Sequence, residues 1–268
     1  MTMSPTTLVL AYYDNADMLR VQYDAVRALS DRLRDQLSVV VVDDGSPNRP
    51  AFAEDLDGVG LQVYRVRKDI RWNQDACRNI GVRHAETNWV LLTDMDHLPT
   101  AKLWDQVLLR EWDPHTAYTF RRVSAPDMTP YKPHPNSWFM SRRLYDEVGG
   151  YDERFAGYYG TDGDFRDRLV ARATAVKQIK ADLVRYPRTL VSDASTTTYL
   201  RKQPEDLPAI ARIRQRRASL ASEDQRPLRY RFKYDRVHPP TNAGSQRGPE
   251  AVVNDAGAHG RGTAGSDR

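Results

Sequence analysis

An α/β fold is predicted, with a mostly parallel sheet flanked by helices, a C-terminal helical extension and a disordered tail. Three observations predict it. Short apolar runs alternate with segments of helical periodicity, the pattern of strand–helix–strand units. The run Ser38–Val42 is nearly all valine, as expected of a strand buried on both faces. The run Trp89-Val90-Leu91-Leu92-Thr93 stops abruptly at Asp94-Met95-Asp96. Two carboxylates at the carboxyl end of a buried strand lie at the edge where such sheets bind ligands.

The first strand is read at Thr7–Ala11, followed by a helix that Asp14 or Asn15 can cap, with Leu19, Tyr23, Val26 and Leu33 on its apolar face. The valine strand breaks at Asp43-Asp44-Gly45-Ser46-Pro47, a dense turn signal. A third strand spans Leu61–Val66, and a helix runs from Asn73 to Ala85 before the strand that ends at Asp94. Thr100 caps a further helix through Arg110. From Val123 to Pro135 a proline-bearing loop interrupts the alternation. Ser137–Ser141 then reads as a strand, and Arg142–Val148 as a short helix closed by Gly149-Gly150. A helix from about Thr161 to Ala173, an Arg-rich helix over Pro204–Ser222 and a last strand over Leu228–Tyr234 complete the expectation. Beyond His238 aromatic residues vanish and Gly, Ala, Asn, Ser and Arg take over, the composition of disorder. The expected organisation is therefore a binding and catalytic domain over 1–181, an extension over 182–238 made of a strand, the Arg-rich helix and a last strand, and a disordered tail over 239–268.

The chain has 268 residues, enough for one large α/β domain with extensions, and 40% hydrophobic residues can supply its core. A net charge of +4 is too small to argue for nucleic acid, so none is expected as a partner. The single cysteine, Cys77, excludes an internal disulfide framework and a cysteine-cluster zinc site. Neither a leader pattern nor an apolar run of spanning length is present, so a cytoplasmic protein without a transmembrane segment is expected.

Residues two apart in an extended chain point the same way, so Asp94 and Asp96 are expected to face one spot. Two such carboxylates repel each other unless a proton or cation lies between them, and a hard divalent ion that also holds substrate phosphates would satisfy both. The Asp43–Ser46 turn sits at the same edge. It serves geometry alone, or one of its carboxylates accepts from a nucleobase N–H.

At this point the sequence resembles a known family. Val39–Ser46 is similar to the V-x-V-D-D-G-S segment of glycosyltransferase family 2 and its relatives with the GT-A fold. Trp72–Gly81 is similar to the family's N-x-x-x-A-R-N-x-G helix, and Thr93–Asp96 falls where the family carries its D-x-D motif. Gly149–Phe165 resembles G-G-[FY]-D-E-x-F…G-x-x-x-E-D-x-D-[FL], a block shared with galactosyltransferases and polypeptide N-acetylgalactosaminyltransferases. The resemblance implies a metal-dependent transferase using Mn²⁺ or Mg²⁺, moving a sugar from a nucleoside diphosphate sugar, UDP-linked by preference, to a hydroxyl acceptor. It implies that Asp44 contacts the base, that Asp14 and Arg78 face the nucleotide or its phosphates, and that Asp96 binds the metal directly. Asp94 would contact ribose, or the metal through water. Asp162 would be the general base of an inverting reaction. Thr161 departs from the pattern, since the family usually carries Glu there.

Other residues carry two readings each. His97 and His134 are either additional Mn²⁺ ligands or structural histidines. Trp138 is either a sugar-stacking platform or a core residue. Arg212, Arg214, Arg216 and Arg217 grip an anionic lipid, a polyanionic acceptor or a partner subunit, or form a solvated helix face. A nucleotidyltransferase would need a Gly-rich loop after the first strand, and Ala11-Tyr12-Tyr13-Asp14 offers none. A retaining transferase and a non-catalytic carbohydrate or nucleotide binder are the remaining alternatives.

Overall fold

Four parallel strands form the centre of the sheet, in the order β3 (Gly60–Val66), β2 (Leu37–Asp43), β1 (Thr6–Tyr12) and β4 (Trp89–Asp94). The computed structural model describes residues 3–48, 56–195 and 202–238. Alternate residues of β1 and β2 face opposite layers, as strand geometry requires. Leu8, Leu10, Val39 and Val41 pack with Met18, Leu19, Tyr23 and Val26 of α1 (Ala16–Arg27). Val40, Val42 and Ala11 pack with Cys77 and Ile80 of α3 (Gln74–His84) on the other face. Coverage on both sides explains the unbroken valine run. A short helix, α2 (Asp31–Arg34), precedes β2. Gly81 lets α3 lie close on β1, since a Cβ there would stand 2.3 Å from Cγ1 of Val9.

Beyond β4 the sheet continues with mixed pairing. β8 (Trp138–Ser141) is antiparallel to β4, and β6 (Thr116–Ser124) is antiparallel to β8. β9 (Ala175–Arg185) runs parallel to β6, and the short β5 (His97–Pro99) is antiparallel to β9 at that edge. The proline-bearing segment expected as a loop holds the end of β6 and a two-residue strand, β7 (Thr129–Pro130), paired back onto it. Residue 181, the expected domain limit, lies within β9.

Two helices of this half start on side-chain caps. The Thr100 hydroxyl accepts from Leu103 N at 3.2 Å at the start of α4 (Ala101–Leu108), and the Ser141 hydroxyl accepts from Leu144 N at 3.0 Å at the start of α5 (Arg142–Val148). Gly149, at φ +85°, closes α5. α1 is different. Asn15 offers no side-chain cap, and the carboxylate of Asp193 instead accepts from Asp17 N at 2.7 Å and Met18 N at 3.0 Å.

α6 (Asp162–Arg172) and α7 (Asp206–Ala218) occupy the expected helical segments. Of the Arg-rich stretch, Arg217 is not on a solvated face. It is mostly buried, donates to Asp152 Oδ2 at 2.6 Å and pairs with Asp164, tying α7 to the Gly149–Phe165 block.

The last strand differs from expectation. It is β10 (Tyr234–His238), antiparallel to β3, rather than Leu228–Tyr234. Glu153 is the reason. Its carboxylate accepts from Tyr230 N at 2.8 Å and Arg231 N at 2.7 Å, and its amide donates to Leu228 O at 2.8 Å. Tyr230 adopts φ +63°, so the chain wraps this buried acid and cannot extend until Tyr234. The expected disordered tail lies outside the described residues. No helix among the described residues is long and apolar enough to cross a membrane.

Candidate active site

A cavity of about 290 Å³ opens at the carboxyl ends of β1, β2 and β4. Asp44, Asp94, Asp96, His97, His134 and Asp162 all line it. The turn after β2 delivers Asp44. Asp43 Oδ1 accepts from Ser46 N at 2.9 Å and its hydroxyl at 2.6 Å, while Arg65 pairs with Oδ2 at 2.5 Å. Gly45 is required at φ +70°, where a Cβ would stand 2.9 Å from the backbone of Asp69. So held, Asp44 reaches the cavity and accepts from Asn73 N at 3.2 Å.

Asp94 and Asp96 both reach the cavity, but not by strand alternation. β4 ends at Asp94, and Met95-Asp96 is a turn leading into β5. Gln22 of α1 pins this turn by donating to the carbonyls of Met95 and His97, each at 2.8 Å. Asp94 is heavily paired. Oδ1 accepts from Gln74 at 2.9 Å and from Arg78, and Oδ2 lies 3.2 Å from His134 Nε2. Burial pushes its carboxyl up, but the Arg78 guanidinium and then His134 outweigh this and hold it far below the usual carboxylate range. Asp96 has Oδ1 2.7 Å from His97 Nδ1, and its side chain is 13% exposed.

The two histidines stack, with ring centroids 4.0 Å apart. His134 has both nitrogens engaged, Nδ1 with Ser137 Oγ at 2.7 Å and Nε2 with Asp94. His97 keeps Nε2 buried without a partner among the described residues.

Asp162 opens α6, where the helix N-terminus favours a charged carboxylate. Burial nevertheless pushes its carboxyl up; Arg78 opposes this, Asp94 adds to it, and Asn136 donates a hydrogen bond that resists it. One Oδ is buried without a partner among the described residues. Arg78 is itself 1% exposed, lying 4.9 Å from the Tyr151 ring centroid and 3.8 Å from Asp75. Burial would lower its pKa, but Tyr151, Asp94, Asp162 and Asp75 hold it above the ordinary value. One buried cation thus serves three carboxylates.

Residues 7–186 match the family model described as glycosyl transferase family 2. The chain belongs to this family. No curated protein matches its sequence. Among solved structures, S. aureus TarS 1-349 in complex with UDP-GlcNAc is 14% identical, with TM-score 0.59 over 82% of this chain and 68% of that one. GalNAc-T7 with UDP, GalNAc and Mn²⁺ is 13% identical, with TM-score 0.56 over 69% of this chain and 44% of that one. The mannosyltransferase PcManGT from Pyrobaculum calidifontis, in complex with GDP-Man and Mn²⁺, is 20% identical, with TM-score 0.51 over 69% and 57%. The family 2 chain therefore spans about half the length of the last two, and these likenesses establish its fold.

Two residues assigned to the nucleotide sugar are not among those lining the cavity of this family 2 protein. Trp138 is 3% exposed in the core with Val90, Leu92 and Met140, and its indole donates to Pro135 O at 2.7 Å. Asp14, at φ +49°, donates its amide to Ser46 Oγ at 3.0 Å and is not among the lining residues. Arg78 acts from behind, through Asp94. Gln74 and Asn136, which touch Asp94 and Asp162, escaped the sequence reading, although Gln74 lies inside the Asn73–Gly81 block.

The donor set fits one kind of divalent ion. Among the described residues no group of three or more His, Cys, Asp or Glu side chains forms a cage. Mg²⁺-type sites commonly use one or two carboxylates and complete their shell with phosphate oxygens and water. Asp94 has both oxygens engaged, so Asp96 is the carboxylate better able to offer an oxygen.

Proposed function

We propose that this chain is a metal-dependent, inverting glycosyltransferase that moves a sugar from a nucleoside diphosphate sugar to an acceptor hydroxyl. The observation that carries this reading is the convergence of Asp44, Asp94, Asp96 and Asp162, from two strand ends and a helix start, on one cavity. Asp44 accepts from the base at one end. Asp96, supported by Asp94, would hold Mn²⁺ or Mg²⁺ against the diphosphate; when bound, such an ion supplies Lewis-acid neutralisation of the leaving group. Gln74 and Arg78 keep Asp94 ionised and fixed.

Asp162 takes the proton of the acceptor hydroxyl as its oxygen bonds to the anomeric carbon and the bond from that carbon to the diphosphate oxygen breaks. Burial raises the proton affinity of this carboxylate, which suits a group that must accept a proton. The TarS and GalNAc-T7 structures hold uridine nucleotides and the PcManGT structure holds GDP-Man, so UDP- and GDP-sugars are the first donors to test.

The test is a thermal-shift screen of nucleotides and nucleotide sugars with and without Mn²⁺, followed by donor hydrolysis. Mn²⁺-dependent stabilisation and hydrolysis, both lost in Asp96→Ala, are expected. A wild-type protein that no nucleoside diphosphate stabilises in the presence of Mn²⁺ would sink the reading.

A further inference from the structure

On the β6–β9 side of the cavity, three cations gather with no direct ion pair among the described residues. Arg122 comes from β6, Arg185 from β9 and Lys132 from the segment after β7, and all three line the cavity. The sheet order β2-β1-β4-β8-β6-β9 puts them beyond Asp94 and Asp96, on the side away from the base-contact residue. Arg185 is paired in register with Ser124 of β6 and His97 of β5, which brings it beside the carboxylate turn. The Tyr131 ring joins the two arginines, with the Arg122 guanidinium 4.5 Å and the Arg185 guanidinium 5.2 Å from its centroid.

Arg122 is 8% exposed. Nη1 donates to Lys132 O at 3.2 Å, and Nε is buried without any partner among the described residues. No carboxylate of the described residues lies within 4.0 Å of Arg122, Lys132 or Arg185. Elsewhere the protein pairs its sequestered arginines: Arg65 with Asp43, Arg78 with Asp94, Arg217 with Asp152 and Asp164. A buried guanidinium without a direct anionic partner is costly, and its fork suits two-point contact with a phosphate or carboxylate. Asp96 and Asp94 act on Arg122 through space, but neither forms an ion pair with it, and Asp96 Oδ1 is engaged by His97.

We propose that Arg122, Arg185 and Lys132 form a subsite for an acidic group, phosphate or carboxylate, carried by the sugar acceptor. The identity of the ligand as acceptor rests on the transferase reading; the presence of an oxyanion site does not. The donor diphosphate is assigned to the Asp96 side, so the cluster would bind its anion while the nucleotide is in place. The acceptor class is then an anionic one, such as a sugar or polyol phosphate or a uronic acid.

Titration calorimetry of sn-glycerol 3-phosphate, and separately of glucuronate, into the full chain tests this, with and without UDP and Mn²⁺. Saturable binding of at least one probe is expected in both conditions, and which one binds distinguishes phosphate from carboxylate. Arg185→Gln and Arg122→Gln should each weaken it at least tenfold. Arg185→Gln is the primary variant because Arg185 is only half-buried, and circular dichroism melts check that each variant folds. Binding of neither probe, affinity unchanged in Arg185→Gln, or displacement of the probe by UDP with Mn²⁺ would overturn the proposal, the last by giving the cluster to the donor. If UDP and GDP both fail to bind the wild type, the transferase reading falls, while the titration without nucleotide still judges the oxyanion site.

Discussion

The hydroxyl of Thr161 donates a hydrogen bond to Oδ1 of Asp75, 3.2 Å away, where α6 meets α3. The family resemblance leads one to expect Glu at 161, and the acid found there is instead Asp75, reaching across from the neighbouring helix. Asp75 is 2% exposed, and burial pushes its carboxyl up to about 7; Arg78 and the Thr161 hydroxyl oppose this, while Asp162 and Asp164 reinforce it.

This acid should make stability fall as pH rises. Below the ordinary value of 3.8 both folded and unfolded chains carry the proton. Between there and about pH 7 the unfolded chain has released it and the folded chain has not, so folding loses up to roughly 4 kcal/mol across that window. Asp75→Asn, which keeps the acceptor for Thr161, should flatten the profile between pH 5 and 8 in denaturant titrations and exceed the wild type at pH 8. A wild-type and variant pair with parallel profiles would show that Asp75 is ionised in the fold.

Asp162→Asn should retain nucleotide binding within about threefold while transfer falls by roughly 10²–10⁴, the usual worth of a positioned base. Single-turnover transfer measured beside nucleotide calorimetry separates the two effects. An unchanged rate would move the base elsewhere and reopen a retaining mechanism.

Arg217 answers two buried carboxylates, Asp152 and Asp164, from a side chain 14% exposed. Arg217→Ala should cost about 1–3 kcal/mol of folding stability, because both acids lose a charged partner while Asp152 keeps Arg154 and Asp164 keeps Arg168. Guanidinium melts would show the loss, and Arg217→Lys should recover part of it.

Gly81→Ala should cost about 1–3 kcal/mol, because the new methyl meets Val9 Cγ1 at 2.3 Å in a packed layer. The double variant with Val9→Ala should lose less than the sum of the two single changes if this contact is the cause.

Much of the central sheet and most of the site were legible because their signals are local. The valine run, the Asp43–Ser46 turn, the Asn73–Gly81 block and the Asp94–Asp96 pair each occupy a short contiguous segment. β9 was legible only at its end, where a strand opens the extension expected from residue 182, and its earlier part was not, for the opposite reason. Val176, Lys177, Gln178 and Lys180 are exposed, leaving only Ile179, Ala181, Leu183 and Val184 to mark its buried side. Its pairing with β6 joins segments more than fifty residues apart, which no local pattern records. Arg122 and Arg185 become neighbours only through that pairing, so their cluster was invisible in the sequence. The misplacement of the last strand has a similar origin, since Glu153 bends a segment far along the chain.

The carboxylate of Asp193 holds the first amides of α1, and the Asn15 side chain donates to its carbonyl, while the next residues, Ala194 and Ser195, line the cavity. The rim of the pocket and the start of the first helix are therefore one latch. Drawing Asp193 away would leave the amides of Asp17 and Met18 bare together. A displacement of that rim would therefore loosen the start of the helix that also steadies the Asp96 turn through Gln22.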